Sequence, residues 1–173
     1  MKKQTEKLIQ ETLLKLDNLT RHIKNVQDNC LLLGERLIRI GEIELGRKLI
    51  ANGFIHDASK FHGIEWSNLS TNAKDEEIAK VKMKLAIQQH RAVNPHHVEY
   101  WGHIDRMPDL YLCELICDIS ARGQESGTNI RDWLNTVGIK SYDLDKDSKT
   151  YKKLNYYLDI LLDKPLEKID VQV

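Results

Sequence analysis

The sequence predicts an all-α protein, and three observations carry that expectation. Apolar residues recur at helical spacing, strand-like alternation is nearly absent, and glycine, Asn-Gly or proline punctuates the periodic runs. Residues 3–16 place Leu8, Ile9, Leu13 and Leu16 on one stripe. A second run, from Asn18 to Ile40, aligns Leu19, Ile23, Val26, Cys30, Leu33 and Leu37. Asp17 or Asn18 either caps this run or lies inside one long helix. Gly41 breaks it, and a shorter helix over 42–51 should stop at Asn52-Gly53. The stretch from Gly63 to Thr71 reads as irregular. Residues 73–91 form the next helix, with Asp75, Glu76 and Glu77 in a first turn whose dipole favours acids. Asn94-Pro95 makes a turn, and Pro108 suits the start of a helix over 107–122 that Gly123 should end. After a loop at 123–128 come a short helix, 129–137, closed by Gly138, and an amphipathic helix, 148–163, stopped by Pro165. The total is six or seven helices in a single domain over residues 1–173.

Composition narrows the function classes. Twenty-six basic residues balance 26 acidic ones in 173 residues, so the chain lacks the field needed to wrap duplex nucleic acid. The balance is uneven along the chain: residues 1–55 carry +3, 56–120 carry −3, and 121–173 carry none. Three cysteines without a CxxC pair suggest neither a disulfide framework nor a zinc knuckle, only buried thiols in a reducing cytoplasm. The N-terminal run interleaves charge with leucine, unlike a signal peptide, and no stretch approaches the ~20 apolar residues of a membrane span. A cytoplasmic protein without membrane contact is expected, and its oligomeric state stays open. Histidine is the unusual feature, because all seven fall between residues 22 and 103.

Several polar residues sit on faces that should be apolar. His22 adjoins Ile23 and precedes Val26 by four. His56-Asp57 follows Phe54-Ile55, and His90 shares a stripe with Met83, Ala86 and Ile87. Asp118 lies among Ile116, Cys117 and Ile119, where an unpaired carboxylate costs several kcal/mol. With His96-His97 these groups offer imidazole and carboxylate ligands together, a set suited to a divalent Mn, Fe, Co, Ni or Zn ion. Asp118 can instead pair with Arg122 four residues on. His62 and His103 read as solvent-facing non-ligands. Glu65 and Glu99 stand near enough to orient imidazoles. Arg91, Arg122 and Arg131 are either phosphate-gripping or merely solvated, and Trp66, Trp101 and Trp133 read as packing residues, with a pocket wall the alternative for Trp101 beside the His pair.

The order His…His-Asp…His…His-His…Asp resembles that of the HD-domain superfamily of metal-dependent phosphohydrolases. His56-Asp57-Ala58-Ser59-Lys60 resembles the HDxxK of several of its branches. His56–Phe61, with the segment from Asn94 to Trp101, is also similar to a family of short, largely uncharacterised bacterial and phage proteins. The likeness spans roughly residues 20–120 and leaves 123–173 as a family-specific C-terminal extension. It implies an HD-like helical bundle in which His22, His56, Asp57 and Asp118 bind a core metal, mono- or binuclear. His90, His96 and His97 would complete a second site, Asp57 would bridge, and Lys60 would face the substrate phosphate. The His pair resembles that of HD-GYP phosphodiesterases, but the GYP segment is missing, so hydrolysis of a cyclic dinucleotide is not implied. The expected activity is phosphohydrolysis of a nucleotide or other small phosphoester by a metal-activated hydroxide. Two rivals stand beside it: a diiron oxygenase of the same superfamily, and a non-catalytic binding module with a structural metal.

Overall fold

In the computed structural model, which describes residues 2–68 and 76–163, the chain is all-α, with no strand among the described residues. The longer helices are α1 (Lys2–Arg39), α2 (Ile43–Ile55), α4 (Glu76–Val93), α6 (Asp109–Ser126) and α9 (Lys149–Asp163). Between them lie the short helices α3 (Gly63–Asn68), α5 (Val98–Trp101), α7 (Ile130–Trp133) and α8 (Ile139–Ser141). No helix of the described residues is long and apolar enough to cross a membrane.

The two N-terminal runs form one helix. Neither glycine nor proline interrupts α1 before Gly34, and Asn18 turns outward to accept a hydrogen bond from Arg21 at 2.5 Å instead of capping a new start. Only the second half of α1 reaches the core: Val26, Cys30, Leu33 and Leu37 are sealed, whereas Leu8, Ile9 and Leu13 face solvent. Gly41, at φ +98, reverses the chain and lays α2 back along α1. The crossing is very close. A Cβ on Gly46 would stand 2.4 Å from the Gly34 carbonyl oxygen, and one on Gly53 would stand 2.7 Å from the Cys30 Cβ.

That contact explains why α2 runs through Asn52-Gly53 to Ile55. Gly53 is present for interhelical packing, not as a stop, and Asn52 donates to Glu114 on α6 at 3.1 Å. The same distinction corrects two later boundaries. Gly123 is buried inside α6, which continues to a left-handed cap at Gly127 (φ +70). Gly138 lies under the Trp133 ring, within a helical path that crosses a π-turn at Leu134–Gly138 into α8. The segment expected to be irregular holds α3, because buried Glu65 ties it to Ser59 and His90. Residues 73–75 and Pro165 lie outside the described residues.

The core is built by α1, α2, α6 and α9. Leu49 of α2, Leu112 and Ile116 of α6, and Leu154, Leu158 and Ile160 of α9 close around the α1 stripe. All three cysteines are buried free thiols. Arg36 anchors α9 by donating to the carbonyls of Ile160 and Leu161 at 2.7 and 2.6 Å. The five long helices and the helical stretch 130–141 account for the six expected once the two N-terminal runs are one, and α3 and α5 are short additions.

Candidate metal centre

The end of α2 sets the geometry of the site. His56 leaves the helix at φ −51, ψ 131, and Asp57 follows in the left-handed region at φ 57, ψ 18. Aspartate is among the few non-glycine residues that adopt this conformation readily. A 3₁₀ turn over Ala58–Phe61 then begins, with the Lys60 N–H donating to the Asp57 carbonyl at 2.9 Å. The reversal buries both His56 and Asp57, at 2% and 1% exposure. His22 approaches from α1 and Asp118 from α6, and His90 from the last turn of α4. His96 and His97 occupy the turn before α5, which Trp101 braces by donating to the Pro95 carbonyl at 2.7 Å.

The two oxygens of Asp57 face different histidines. Oδ2 lies 3.5 Å from His56 Nε2 and 4.0 Å from His22 Nε2. Oδ1 lies 3.3 Å from His90 Nε2 and 3.5 Å from His96 Nε2. His22 Nε2 also approaches Asp118 Oδ1 to 3.0 Å, and His90 and His97 bring their Nε2 atoms to 2.9 Å. Three ligand groups result, His22–His56–Asp118, Asp57–His90–His96–His97 and His56–His96–Glu114, in each of which the donor atoms lie within 4.8 Å of one another. Each could hold a metal ion, and the first two contain all seven expected ligands.

A second ring of carboxylates grips the outer nitrogens. His22 Nδ1 meets Glu125 at 2.9 Å, His56 Nδ1 meets Glu114 at 3.0 Å, and His90 Nδ1 meets Glu65 at 2.8 Å. His96 Nδ1 lies 3.4 Å from the same Glu114 oxygen. A neutral imidazole that donates Nδ1–H to a carboxylate turns the lone pair of Nε2 inward, as a metal ligand must. The inward atoms accordingly lack partners: His22 Nε2, His56 Nε2, His96 Nε2, Asp57 Oδ1 and Asp118 Oδ1 are buried without a hydrogen bond. The 3.0 Å approach of His22 to Asp118 therefore has the distance of an ion pair but not the alignment of a hydrogen bond. Five orphaned polar atoms converging on one space are costly unless a cation joins them. The residues present fit a divalent metal.

Charge is held in place against burial. Burial opposes ionisation of Asp57, yet the imidazole of His96, then those of His56 and His90 and the Lys60 ammonium, hold its carboxyl well below the usual range. Asp118 is depressed likewise, with His22 and His56 outweighing burial. Glu114 is brought down to about 2, because the hydrogen bonds from His56 and His96 overcome its burial. For His96, burial is overcome by the nearby Asp57 and Glu114 carboxylates, and its pKa rises to about 9. Burial lowers His97 to about 3, assisted by the charges of His96 and His90.

All seven residues expected as ligands (His22, His56, Asp57, His90, His96, His97 and Asp118) thus meet in one cluster. Lys60 pairs with Asp57 Oδ2 at its edge. His62 is exposed, and His103 accepts from the Asp105 N–H at 3.2 Å, away from the cluster. Arg122 does stand beside Asp118, at 4.0 Å, while Arg91 pairs with Glu99 at 2.8 Å and Arg131 with Asp159 at 2.5 Å. Sequence reasoning anticipated Glu65 as an orienting partner and missed Glu114 and Glu125. Their signal was present: Glu114 sits four residues before Asp118 within Leu112–Cys117, otherwise apolar, and Glu125 seven after it on the same face.

A family model described as a family of unknown function (DUF5662) matches residues 11–160. No curated protein and no solved structure matches the chain.

Proposed function

We propose, for a chain that belongs to the DUF5662 family, that the cluster holds a pair of divalent ions and hydrolyses a small phosphoester, as the resemblance to HD-domain phosphohydrolases implies. One observation carries this reading: Asp57 directs Oδ2 toward His22 and His56 and Oδ1 toward His90 and His96. A carboxylate whose two oxygens face two ligand groups suits a two-ion phosphoryl-transfer centre, in which the ions must sit close together. Mn, Fe, Co, Ni and Zn all suit the mixed imidazole and carboxylate set. When bound, such ions supply Lewis acidity toward water and the phosphoryl oxygens.

The chain's own residues do the rest. Glu65, Glu114 and Glu125 fix the tautomer and orientation of the imidazoles, so that little reorganisation is needed on reaction. Burial of the cluster keeps bulk water from screening its charges. Lys60, tied to Asp57 at the edge, places an ammonium where charge accumulates on the phosphoryl group. The oxygen of one water bonds to phosphorus, the ester P–O bond breaks, and the alcohol leaves with a proton from that water.

Metal analysis of native protein, joined to a phosphoester panel with Mn²⁺ or Co²⁺, tests the proposal. Two ions per chain and phosphate release abolished by Asp57→Asn and by His56→Ala are expected. Hydrolysis that persists in both variants overturns it. Two irons with a mixed-valent paramagnetic signal, and no phosphate release, would select the oxygenase reading instead.

A further inference from the structure

Two clefts that meet at Arg122 lie beside the cluster on the α1–α6 side, bordered by Glu125, which holds His22, and by Arg122, which stands beside Asp118. One is a broad polar basin of about 760 Å³ bounded by Asn18, Arg21, Asn25, Arg122, Gln124 and Glu125. The other is a smaller hollow of about 180 Å³, and its walls are Ile119, Arg122, Ile130, Trp133 and Tyr142, with Thr128 at the lip. Trp133 and Tyr142 meet edge to face there, 6.0 Å between ring centres. Such a hollow is apolar and aromatic on one side and guanidinium on the other.

Its position relative to the proposed reacting centre is set by α6: Ile119 adjoins Asp118 in the chain, and Arg122 lines both clefts and sets its Nε 4.0 Å from Asp118 Oδ1. A phosphoryl group at Asp118 would therefore have the hollow next to its ester oxygen.

Resting on the phosphohydrolase reading, we propose that the Trp133–Tyr142 hollow receives a flat aromatic or heteroaromatic ring carried by the leaving alcohol, with Arg122 spanning ring and phosphate. The substrate class is then an aryl or nucleoside phosphoester, and simple alkyl phosphates are poor substrates. The bulky aromatic wall gains contact only from a planar partner, and a guanidinium both stacks on rings and forks onto phosphate oxygens. The C-terminal third of the chain, which supplies Trp133 and Tyr142, would thereby set specificity while residues 22–118 hold the metals.

Calorimetric titration of the Mn²⁺-loaded protein with three non-hydrolysable probes tests this: benzylphosphonate, an adenosine 5′-phosphonate and propylphosphonate. Both ring-bearing probes should bind about tenfold or more tightly than propylphosphonate, the scale of aromatic stacking. The tighter of the two identifies plain aryl or nucleobase as the preferred source of the ring. Thr128→Trp, which fills the hollow from an exposed lip without touching the core, should erase the advantage and leave propylphosphonate unchanged. Trp133→Ala should do the same in a protein whose circular dichroism is native. Equal affinity for all three probes, or an equal loss for all three in Thr128→Trp, overturns the ring site while leaving phosphoester hydrolysis intact. Ring-dependent binding without turnover of the corresponding esters sinks the hydrolase reading and keeps the ring site. Binding of none of the probes removes both.

Discussion

Replacing Glu114 by glutamine is the most informative single perturbation of the cluster, because it keeps volume and removes one charge. Glu114 is 4% exposed and receives His56 Nδ1 at 3.0 Å, His96 Nδ1 at 3.4 Å and Asn52 Nδ2 at 3.1 Å. Burial by itself would raise its pKa, but the two imidazole hydrogen bonds bring it from 4.5 to about 2. At about 1.4 kcal/mol per pKa unit, that depression contributes roughly 3 kcal/mol to folding at neutral pH. The folded-state pKa lies below the unfolded one, so the contribution is complete above pH 4.5 and disappears as pH falls toward 2. Urea unfolding of metal-free Glu114→Gln at pH 7 should therefore show a loss of roughly 3 kcal/mol, and the gap to the wild type should narrow below pH 4.5. Glutamine also cannot accept from both rings with equal strength, so metal affinity, measured by chelator competition, should fall 10–100-fold. An unchanged urea midpoint together with a metal Kd within threefold of the wild type would show that Glu114 neither stabilises the fold nor orients its imidazoles.

Three further expectations follow from the same geometry. His96, with its pKa raised to about 9, is protonated near pH 7 and must lose that proton to act as a ligand; calorimetry in buffers of different ionisation enthalpy should detect at least about one proton released per chain. A buffer-independent binding heat would contradict this. Metal at about 100 times its Kd should stabilise the fold by about 2.7 kcal/mol, which for a chain of this length raises Tm by roughly 5–11 °C in thermal scans against a chelated control. Gly46→Ala puts a methyl 2.4 Å from the Gly34 carbonyl and should cost about 1–3 kcal/mol or more by forcing α1 and α2 apart, with weaker metal binding because His22 and His56 ride on those helices; an unaltered melt would show that the crossing yields.

The helices and the ligand set were legible in the sequence for different reasons. Helical periodicity marks the second half of α1, α6 and α9 because each buries a stripe, and polar residues interrupting those stripes marked His22 and Asp118; α4 buries only Ala86 and His90, while Met83 and Ile87 of the expected stripe face solvent. The boundaries that failed were at Gly53, Gly123 and Gly138. A glycine that ends a helix and one that lets two helices or a tryptophan approach closely are the same letter, and only the partner backbone or ring distinguishes them. The exposed face of Leu8, Ile9 and Leu13 illustrates the converse: spacing gives an apolar stripe but not what covers it. Glu114 and Glu125 escaped notice because their role is tertiary. Each acts through the far side of an imidazole from another helix, His56 in one case and His22 in the other, and no local spacing encodes that pairing.

The balance of charge around the cluster decides how many ions it should take. Five carboxylates (Asp57, Glu65, Glu114, Asp118 and Glu125) touch its histidines, and three cations answer them: Lys60, Arg122 and protonated His96. Summed over these eight groups, the metal-free cluster is net negative by two and repels a phosphate dianion. One divalent ion, once it displaces the His96 proton, leaves the centre still negative by one. A second ion makes it positive by one, the first state in which an anionic substrate is drawn in rather than expelled. Inorganic phosphate should therefore bind weakly and alike to the metal-free and one-metal forms, and more than tenfold tighter once two ions per chain are present. Titrating phosphate against protein prepared with none, one and two equivalents of Zn²⁺ reads this directly. Full phosphate affinity at one equivalent would mean that a single ion suffices and that His90 and His97 orient rather than ligate.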